Sequence, residues 1–313
     1  MKVASFFAGV GGIDLGFERA GFDVIWANEI DKWATQTYKE NFTSTLLHED
    51  IHKVDAKDIP DFDIMVGGFP CQAFSVAGYR KGFDDDRGNL FFELERIFLA
   101  KKPDVIFLEN VKNLVGHDNG HTFAVIRDHL NAAGYHVKHQ VLNACNYGDI
   151  PQNRERIYIV AFKDEKAFQR FTFPDSIEPT KKLKDFIDFE NKVADEFYYT
   201  AEKYDFYPQL EENMKSSDTV YQWRRVYVRE NQSNQCPTLT ANMGTGGHNV
   251  PLVKTKTGIR KLTPRECFNL MGYPADYKLP KLAKSHLYKQ AGNSVIVPVI
   301  ERIAQQIKIA LEG

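Results

Sequence analysis

The fold is decided by the first stretch of the chain, KVASFFAGVGGIDLGFERAG (residues 2–21). Its apolar residues 2–7 predict a buried β-strand, its glycines permit a tight turn, and the helical stretch after them ends at a further glycine. Further apolar runs of strand length occur at residues 22–28, 62–68, 104–110, 136–143 and 156–162. Helical stretches lie between several of these runs, so the sequence predicts a doubly wound α/β sheet.

The composition is that of an ordinary globular protein. Of 313 residues, 43% are hydrophobic and 26% charged, enough for one large domain or two of unequal size. No apolar run approaches the roughly 20 residues of a membrane span. The four cysteines are widely spaced, and the pair His117 and His121 lacks further ligands, so neither a disulfide framework nor a metal site is expected. We expect a cytoplasmic, reduced protein with no membrane partner and no metal.

The character of the sequence changes after residue 173, where periodic segments give way to turn residues. We predict a large α/β domain over residues 1–175, completed by residues 280–313. A smaller, mostly irregular or β domain is expected over residues 176–279. Apolar residues recur at helical spacing from 296 to 311, which predicts a C-terminal helix docked on the large domain.

Positive charge is concentrated in one segment of a chain whose net charge is only −2. Residues 213–261 contain eight lysines and arginines against two acids. Two interpretations remain open from charge alone: a solvated loop region, or a surface that binds nucleic acid.

The glycine turn after the first strand does not match a dinucleotide-binding fingerprint. From Gly9 the pattern G-x-G-x-x-G requires a glycine at position 14, where the chain has Asp14. An adenosine-type ligand at the carboxyl ends of the strands remains possible. Glu29 ends the second strand, where it could accept hydrogen bonds from ribose hydroxyls. Asp50 follows an expected third strand, where it could accept from an adenine amino group.

Cys71 follows an apolar strand directly, in GGFPCQAFSVAGYRKGFDDDRGN (residues 67–89). It could be a core residue, half of a disulfide, a metal ligand or a nucleophile. A core cysteine is expected inside a strand, and the glycine-rich, charged segment after Cys71 is more typical of a mobile lid. Glu109 ends another strand, and Arg154 and Arg156 alternate at the entry to a further one, where we expect both on one face.

These motifs, taken in order, resemble those of the cytosine-C5 DNA methyltransferases of the bacterial restriction–modification type. The matching elements are FAGVGG, GFPCQ, ENV, QNRERIY and GNSV, and they span the chain from Phe7 to Val295. The resemblance implies an S-adenosylmethionine-dependent catalytic domain and, over residues 176–279, a target-recognition domain with its hinge. Arg265 and Glu266 match a structural motif that braces the recognition domain.

The resemblance assigns the catalytic roles to four residues. Cys71 is the nucleophile that adds to C6 of cytosine, because covalent addition activates C5 toward an electrophilic methyl group. Glu109 hydrogen-bonds to or protonates N3, and Arg156, together with Arg154, binds the O2 side of the base.

The resemblance also assigns a binding site for S-adenosylmethionine, whose product is S-adenosylhomocysteine. Its implied contacts are Phe7, Gly9, Gly11, Gly12, Glu29, Ile30, Asp50, Ile51, Leu90, Asn293 and Ser294. Ile30 departs from the aromatic residue that the family often has after the ribose-binding acid, so stacking on adenine is lost there.

The implied substrate is double-stranded DNA with the target base flipped out, because C6 is inaccessible inside a duplex. Residues 72–89 would close over the base. The implied DNA contacts are Ser75, Gln222, Arg224, Arg225, Thr238 and Leu239. We expect a monomer that protects host DNA from a cognate restriction endonuclease.

Two other functions share part of this pattern. Transfer-RNA cytosine methyltransferases have most of the same motifs, but their CFT signature is absent, because FNL follows Cys267. A non-catalytic DNA-binding relative would not need Cys71, Glu109, Arg154 and Arg156 together.

Overall fold

The computed structural model describes residues 1–69, 90–231, 233–245 and 249–313. These residues form two compact units. Unit 1 consists of Met1–Leu142, Glu155–Asp175 and Val299–Gly313, and unit 2 of Asn143–Arg154 and Ser176–Pro298.

Unit 1 is built on a seven-stranded sheet. Its strands are β1 (Lys2–Phe6), β2 (Asp23–Glu29), β3 (Thr45–His48), β4 (Ile64–Gly68), β5 (Val105–Val111), β6 (His136–Asn143) and β8 (Glu155–Phe162). The order across the sheet is β3-β2-β1-β4-β5-β8-β6. Strands β1 to β5 pair in parallel, whereas β8 runs antiparallel to β5. The six strands read from apolar runs are confirmed, and β3 is the expected strand before Asp50.

Helices cover both faces of this sheet, as the doubly wound prediction requires. They are α1 (Gly12–Arg19), α2 (Lys32–Asn41), α3 (Leu90–Lys101), α4 (His121–Ala132) and α6 (Glu165–Arg170). On one face, α3 and α4 pack against alternate strand residues such as Phe6 and Leu108 in a common apolar core. On the other face, Phe17 of α1 contacts Phe107 of β5, with ring centroids 5.3 Å apart. Because both faces are covered, the strands read as continuous apolar runs.

The C-terminal helix α10 (Val297–Glu312) joins unit 1 at α1. A Cβ atom added at Gly16 would lie 2.5 Å from Cγ2 of Ile300, so the two helices meet at the glycine backbone. The Nε atom of Arg170 also donates a hydrogen bond to the carbonyl of Ala310 at 2.9 Å. The predicted docking of the last helix on the large domain is therefore observed.

Unit 2 is built on a four-stranded antiparallel sheet. Its strands are β9 (Tyr221–Trp223), β10 (Val228–Glu230), β12 (Leu252–Thr255) and β13 (Gly258–Lys261), in the order β10-β9-β12-β13. A second pairing joins β7 (Gln152–Asn153) in parallel to β11 (Cys236–Pro237). The helices are α5 (Ala144–Gly148), α7 (Tyr207–Asn213), α8 (Pro264–Asn269) and α9 (Lys284–Asn293). The short strands and long irregular connections agree with the predicted character of the smaller domain.

A buried ion pair braces this unit. Arg260 is fully buried and donates to both carboxylate oxygens of Glu266, at 2.7 and 2.8 Å. Glu266 also closes a capping box with Thr263 at the start of α8. The carboxylate thus joins β13 to α8, the kind of scaffold role expected for Glu266.

Candidate active site

The carboxyl edge of the unit 1 sheet contains a topological switch point between β1 and β4. The chain moves from β1 outward through β2 and β3 and then returns to the other side of β1 as β4. Ligands of open α/β sheets bind at the carboxyl ends of strands at such a point. The predicted cofactor acids and Glu109 lie at the carboxyl ends of the neighbouring strands.

The turn after β1 has the backbone geometry that only glycine adopts without strain. Gly9 and Gly11 have φ angles of 57° and 75°. A Cβ at Gly11 would come within 2.2 Å of the Phe42 ring. Phe7, at φ 55°, shares this left-handed conformation, and Gly12 begins α1. The turn therefore brings backbone atoms to the edge of the sheet, as a tightly bound ligand requires.

Glu29 holds this turn in place. Its two carboxylate oxygens accept hydrogen bonds from the N–H groups of Gly9 and Asp31, each at 2.7 Å. Burial raises the pKa of Glu29, against the lowering effect of these backbone hydrogen bonds. Each carboxylate oxygen can accept a further hydrogen bond, so the residue fits the predicted role as acceptor for ribose hydroxyls.

The loop that carries Asp50 is fixed by a residue that the sequence analysis did not single out. The amide of buried Asn28 donates to the carbonyls of Leu47 and Glu49, at 3.2 and 2.8 Å. Asp50 accepts from the backbone N–H of His52 at 3.1 Å and contacts its Nδ1 atom at 2.7 Å, and these hydrogen bonds lower the pKa of Asp50. The only sequence signal for Asn28 is its place beside Glu29 at a strand end.

The two isoleucines assigned to the cofactor differ in exposure. Ile30 is 61% exposed beside Glu29, whereas Ile51 is buried in the apolar core. Arg96 of α3 donates to the carbonyl of Ile51 at 3.3 Å and holds the turn in which it lies. Leu90 begins α3 and packs against the same core.

The structure brings Glu109 and Arg156 together. Their strands are antiparallel neighbours, and Oε1 of Glu109 lies 3.1 Å from Nε of Arg156. The side chains are only 11% and 15% exposed. A Cβ at Gly68 would lie 3.3 Å from Oε2 of Glu109, so the carboxylate stands over the end of β4. A carboxyl and a guanidinium thus converge where the chain leaves the strand toward Cys71.

Asn110 ties the end of β5 to the end of β4. Its amide donates to the carbonyl of Phe69 at 2.9 Å, and its side-chain oxygen accepts from the N–H of Val111 at 2.8 Å. The sequence analysis quoted this residue in the ENV motif without a role. Cys71 and Ser75 lie outside the described residues, so their assignments stay predictions.

Arg154 belongs to unit 2 and differs from Arg156 in its contacts, and the expectation that both lie on one strand face stays a prediction. It lies between β7 and β8. Its buried guanidinium donates to the carbonyls of Leu239, Gly292 and Ser294, at 2.7, 3.3 and 2.5 Å. Whether Arg154 also contacts the base stays a prediction.

The motif GNSV lies at the end of α9 in unit 2. Asn293 is exposed, while the hydroxyl of Ser294 lies 2.6 Å from that of Tyr273. Together with the carbonyl of Ser294 bound to Arg154, these contacts fix the backbone of the motif.

The residues assigned to DNA contacts differ in their surroundings: some are held by hydrogen bonds within unit 2, and others lie at its surface. The hydroxyl of Thr238 donates to the carbonyl of Asn153, and the N–H of buried Leu239 donates to the side chain of Gln152 at 3.1 Å. Gln222 is half-buried in β9, whereas Arg224 and Arg225 are exposed. Thr238 and Leu239 are thus anchored to Asn153 and Gln152 of the QNRERIY motif, whereas the two arginines are exposed.

No helix among the described ranges combines the length and the apolar character that a membrane crossing needs.

The comparison with known families covers nearly the whole chain. The family model for the C-5 cytosine-specific DNA methylases matches residues 1–309. Type II methyltransferase M.Bsp6I of Bacillus sp. (strain RFL6) is 63% identical over 309 residues, covering 98% of each chain. Type II methyltransferase M.HhaI of Haemophilus parahaemolyticus is 39% identical over 328 residues, covering 99% of this chain and 95% of its own.

Solved structures share the fold at lower identity. The S. pombe Dnmt2 methyltransferase superposes with a TM-score of 0.75 at 20% identity, covering 99% of this chain and 98% of its own. The Entamoeba histolytica methyltransferase EhMeth gives a TM-score of 0.75 at 20% identity, covering 100% and 99% of the two chains.

Proposed function

The chain belongs to the C-5 cytosine-specific DNA methylases, and from this premise we propose that it methylates C5 of a flipped-out cytosine in a short duplex DNA site. The methyl donor is S-adenosylmethionine, and the reaction passes through a covalent adduct of Cys71 at C6. The observation that carries the proposal is the pairing of Glu109 with Arg156 over the end of β4, just before GFPCQ.

The paired side chains match the charge that develops on the base. When the thiolate of Cys71 adds to C6, a C–S bond forms and negative charge moves toward N3 and O2. The Glu109 carboxyl donates a hydrogen bond or a proton to N3, and the Arg156 guanidinium donates to O2. Because both groups are held rigidly on neighbouring strands, they are oriented before the base arrives.

The later steps restore the enzyme. S-adenosylmethionine would supply the methyl group: as C5 bonds to the methyl carbon, the bond from that carbon to the sulfonium sulfur breaks and S-adenosylhomocysteine is the leaving group. The proton on C5 then leaves to a base, the C–S bond breaks, and Cys71 is released as the thiolate with 5-methylcytosine as product.

The residues at the edge of the sheet suit S-adenosylmethionine. The left-handed turn through Gly9 and Gly11 admits the methionine part of the ligand close to the backbone. Glu29 accepts from the ribose hydroxyls, and Asp50, on a loop held by Asn28, accepts from the adenine amino group. Because these acceptors are carboxylates, they favour the hydroxyl and amino donors of adenosine over a negatively charged phosphate.

Residues 176–279 act as the target-recognition domain in this proposal, with residues 1–175 and 280–313 as the catalytic domain. The similarity to Type II methyltransferases supports a role in a restriction–modification system with a cognate endonuclease. We expect the protein to act on duplex DNA as a monomer.

The direct test uses Cys71→Ser with unmethylated plasmid DNA and S-adenosylmethionine carrying a labelled methyl group. We expect no transfer above background, because a serine hydroxyl is a far weaker nucleophile than a thiolate, while binding to duplex DNA stays measurable. Cys145→Ser is the matched control, because burial raises the pKa of that thiol and it should not contribute. Near-normal turnover by the Cys71→Ser protein would remove the covalent mechanism.

The substrate is tested in the same assay with transfer RNA in place of the plasmid. We expect label in DNA only, and sequencing after bisulfite treatment should show 5-methylcytosine at one short motif. Label in transfer RNA with none in DNA would reverse the assignment of substrate.

A further inference from the structure

We propose that His52 is a positioning residue for the methyl donor: it orients the carboxylate of Asp50 so that one oxygen stays available to the adenine amino group. The inference rests on the function proposed above, in which Asp50 accepts from that amino group. Three observations support it: the contacts between the two side chains, the separate support of the backbone, and a second turn of the same kind in the same chain.

Both contacts of His52 with Asp50 are made to one carboxylate oxygen. The backbone N–H of His52 donates to Oδ1 at 3.1 Å, and Nδ1 of its ring lies 2.7 Å from the same atom. Because an ionised carboxylate only accepts, the ring donates from Nδ1. Oδ2 accepts no hydrogen bond from the part of the chain that the structure describes. The carboxylate is thus fixed in rotation, and Oδ2 is left for a donor on the ligand.

The backbone of this turn is held by residues other than His52. Asn28 donates to the carbonyl of Glu49 at 2.8 Å, before the turn. Arg96 of α3 donates to the carbonyl of Val54 at 2.8 Å, after it. The side chain of His52 is itself 37% exposed, so it contributes little to the core. Removal of its ring should therefore free the carboxylate while the backbone keeps its course.

A second turn, five residues further along the chain, provides an internal comparison. Asp55 caps the short turn Ala56–Asp58, and its Oδ1 accepts from the N–H of Lys57 at 3.1 Å. The ammonium of Lys57 lies 2.9 Å from the other oxygen, Oδ2, so both oxygens of Asp55 are used. At Asp50 the ring nitrogen is only two bonds from Cβ and stays beside its own backbone N–H. The histidine therefore restrains the carboxylate without occupying Oδ2.

This restraint should raise the affinity for adenine. A carboxylate that is already oriented loses less freedom when the amino group binds, and binding is tighter when the ordering is complete beforehand. The hydrogen bond from the His52 side chain is also the largest effect that lowers the pKa of Asp50, which keeps the carboxylate in the form that accepts. A ligand without the amino group would gain nothing from either effect, because its purine cannot donate to Oδ2.

The experiment is a calorimetric titration with S-adenosylhomocysteine and with its analogue in which hydrogen replaces the adenine amino group. We expect the parent to bind S-adenosylhomocysteine more tightly than the analogue. His52→Ala should bind S-adenosylhomocysteine about three- to tenfold more weakly and the analogue with unchanged affinity. His52→Asn keeps a nitrogen donor two bonds from Cβ and should recover most of the lost affinity.

Lys57→Ala is the matched control, because it removes the corresponding contact from Asp55. It should leave both affinities unchanged. The melting temperatures of all three variants should stay close to that of the parent, since Asn28 and Arg96 hold the backbone beside His52.

The outcomes separate this inference from the function on which it rests. Equal losses for the two ligands in His52→Ala would show a structural role for the ring and overturn the positioning role, while binding by the parent stands. An unchanged affinity of His52→Ala for S-adenosylhomocysteine overturns it as well. A parent protein that binds neither ligand contradicts the proposed function and the inference with it.

Discussion

Asp14 is a fully buried carboxyl in the turn that begins α1. Its two oxygens accept hydrogen bonds from the hydroxyls of Ser5 and Tyr38, at 2.5 and 2.6 Å. Burial nevertheless raises its pKa from 3.8 to about 6, because the two hydrogen bonds do not replace full hydration of the charge. Asp14 occupies the position where a dinucleotide fingerprint has glycine. This turn therefore buries a carboxyl group whose charged form is disfavoured there.

The raised pKa of Asp14 predicts a pH dependence of stability. The folded state binds this proton more tightly than the unfolded state, so the stabilisation is complete below about pH 4 and is lost as the pH rises through about 6. We expect the difference in unfolding free energy between the parent and Asp14→Asn to fall by roughly 3 kcal/mol across this window. Urea unfolding at several pH values measures it, and parallel curves for the two proteins would refute the shift.

Glu29 is the residue on which cofactor affinity should depend most. In Glu29→Gln the amide group can no longer accept from both Gly9 and Asp31, and the charge is lost. We expect S-adenosylmethionine to bind about tenfold or more weakly, since a hydrogen bond to a charged group contributes about 1.5–3 kcal/mol. Calorimetric titration provides the measurement, with Glu18→Gln on α1 as the control that should leave affinity unchanged.

Substitution of Arg154 can show whether this residue binds the target base or instead holds the backbone of unit 2 in position. Removal of its guanidinium in Arg154→Ala would leave the carbonyls of Leu239, Gly292 and Ser294 without this donor. We expect a loss of about 3 kcal/mol or more in the free energy of unfolding, with Arg154→Lys recovering part of it. A variant of full stability whose only defect is a lower kcat would instead support direct contact with the base.

At the scale of elements, α1 and α10 show how one small residue decides the packing of two helices. Gly16 is poor for helix propensity, yet the Ile300 side chain occupies the space that its Cβ would need. The close contact of the two helices thus outweighs the gain in helix propensity, about 1 kcal/mol, that alanine would bring at this position.

We therefore expect Gly16→Ala to destabilise the protein, because overpacking typically costs about 1–3 kcal/mol. In combination with Ile300→Ala, which removes the contacting atoms, the penalty of Gly16→Ala should shrink or change sign. A thermodynamic cycle of the four proteins measures this coupling, and simple additivity would show that the two side chains do not compete for space.

At the scale of the whole molecule, recognition and chemistry are proposed to lie in separate parts of the chain. Thr238 and Leu239 are hydrogen-bonded to Asn153 and Gln152. A segment exchanged with a relative should therefore end before Thr238, so that these hydrogen bonds are kept. Residues 215–235 contain the hairpin formed by β9 and β10 and leave these anchors in place.

Replacement of residues 215–235 by the corresponding segment of a relative with a different site should change the methylated sequence and retain transfer to C5. Sequencing of DNA methylated by the chimera gives the answer. If the chimera methylates the original site, recognition depends on residues outside the hairpin segment.

The sequence predicted the alternation of strands and helices, the glycine turn and the acid at the end of β2. These features depend on residues close together in the chain, because apolar periodicity sets burial and glycine sets local backbone geometry. It did not predict the roles of Asn28 and Asn110, whose hydrogen bonds reach carbonyls 19 to 41 residues away.

The sequence by itself therefore determined the fold class and the family to which the chain belongs, since ordered motifs and local periodicity are properties of the sequence alone. Only the tertiary structure decided that Arg156 pairs with Glu109 while Arg154, two residues earlier, binds carbonyls of unit 2. Arg154 is the one residue between β7 and β8, and Arg156 lies in β8. The partners of a buried guanidinium come from distant segments, and their positions are fixed only when the whole chain has packed.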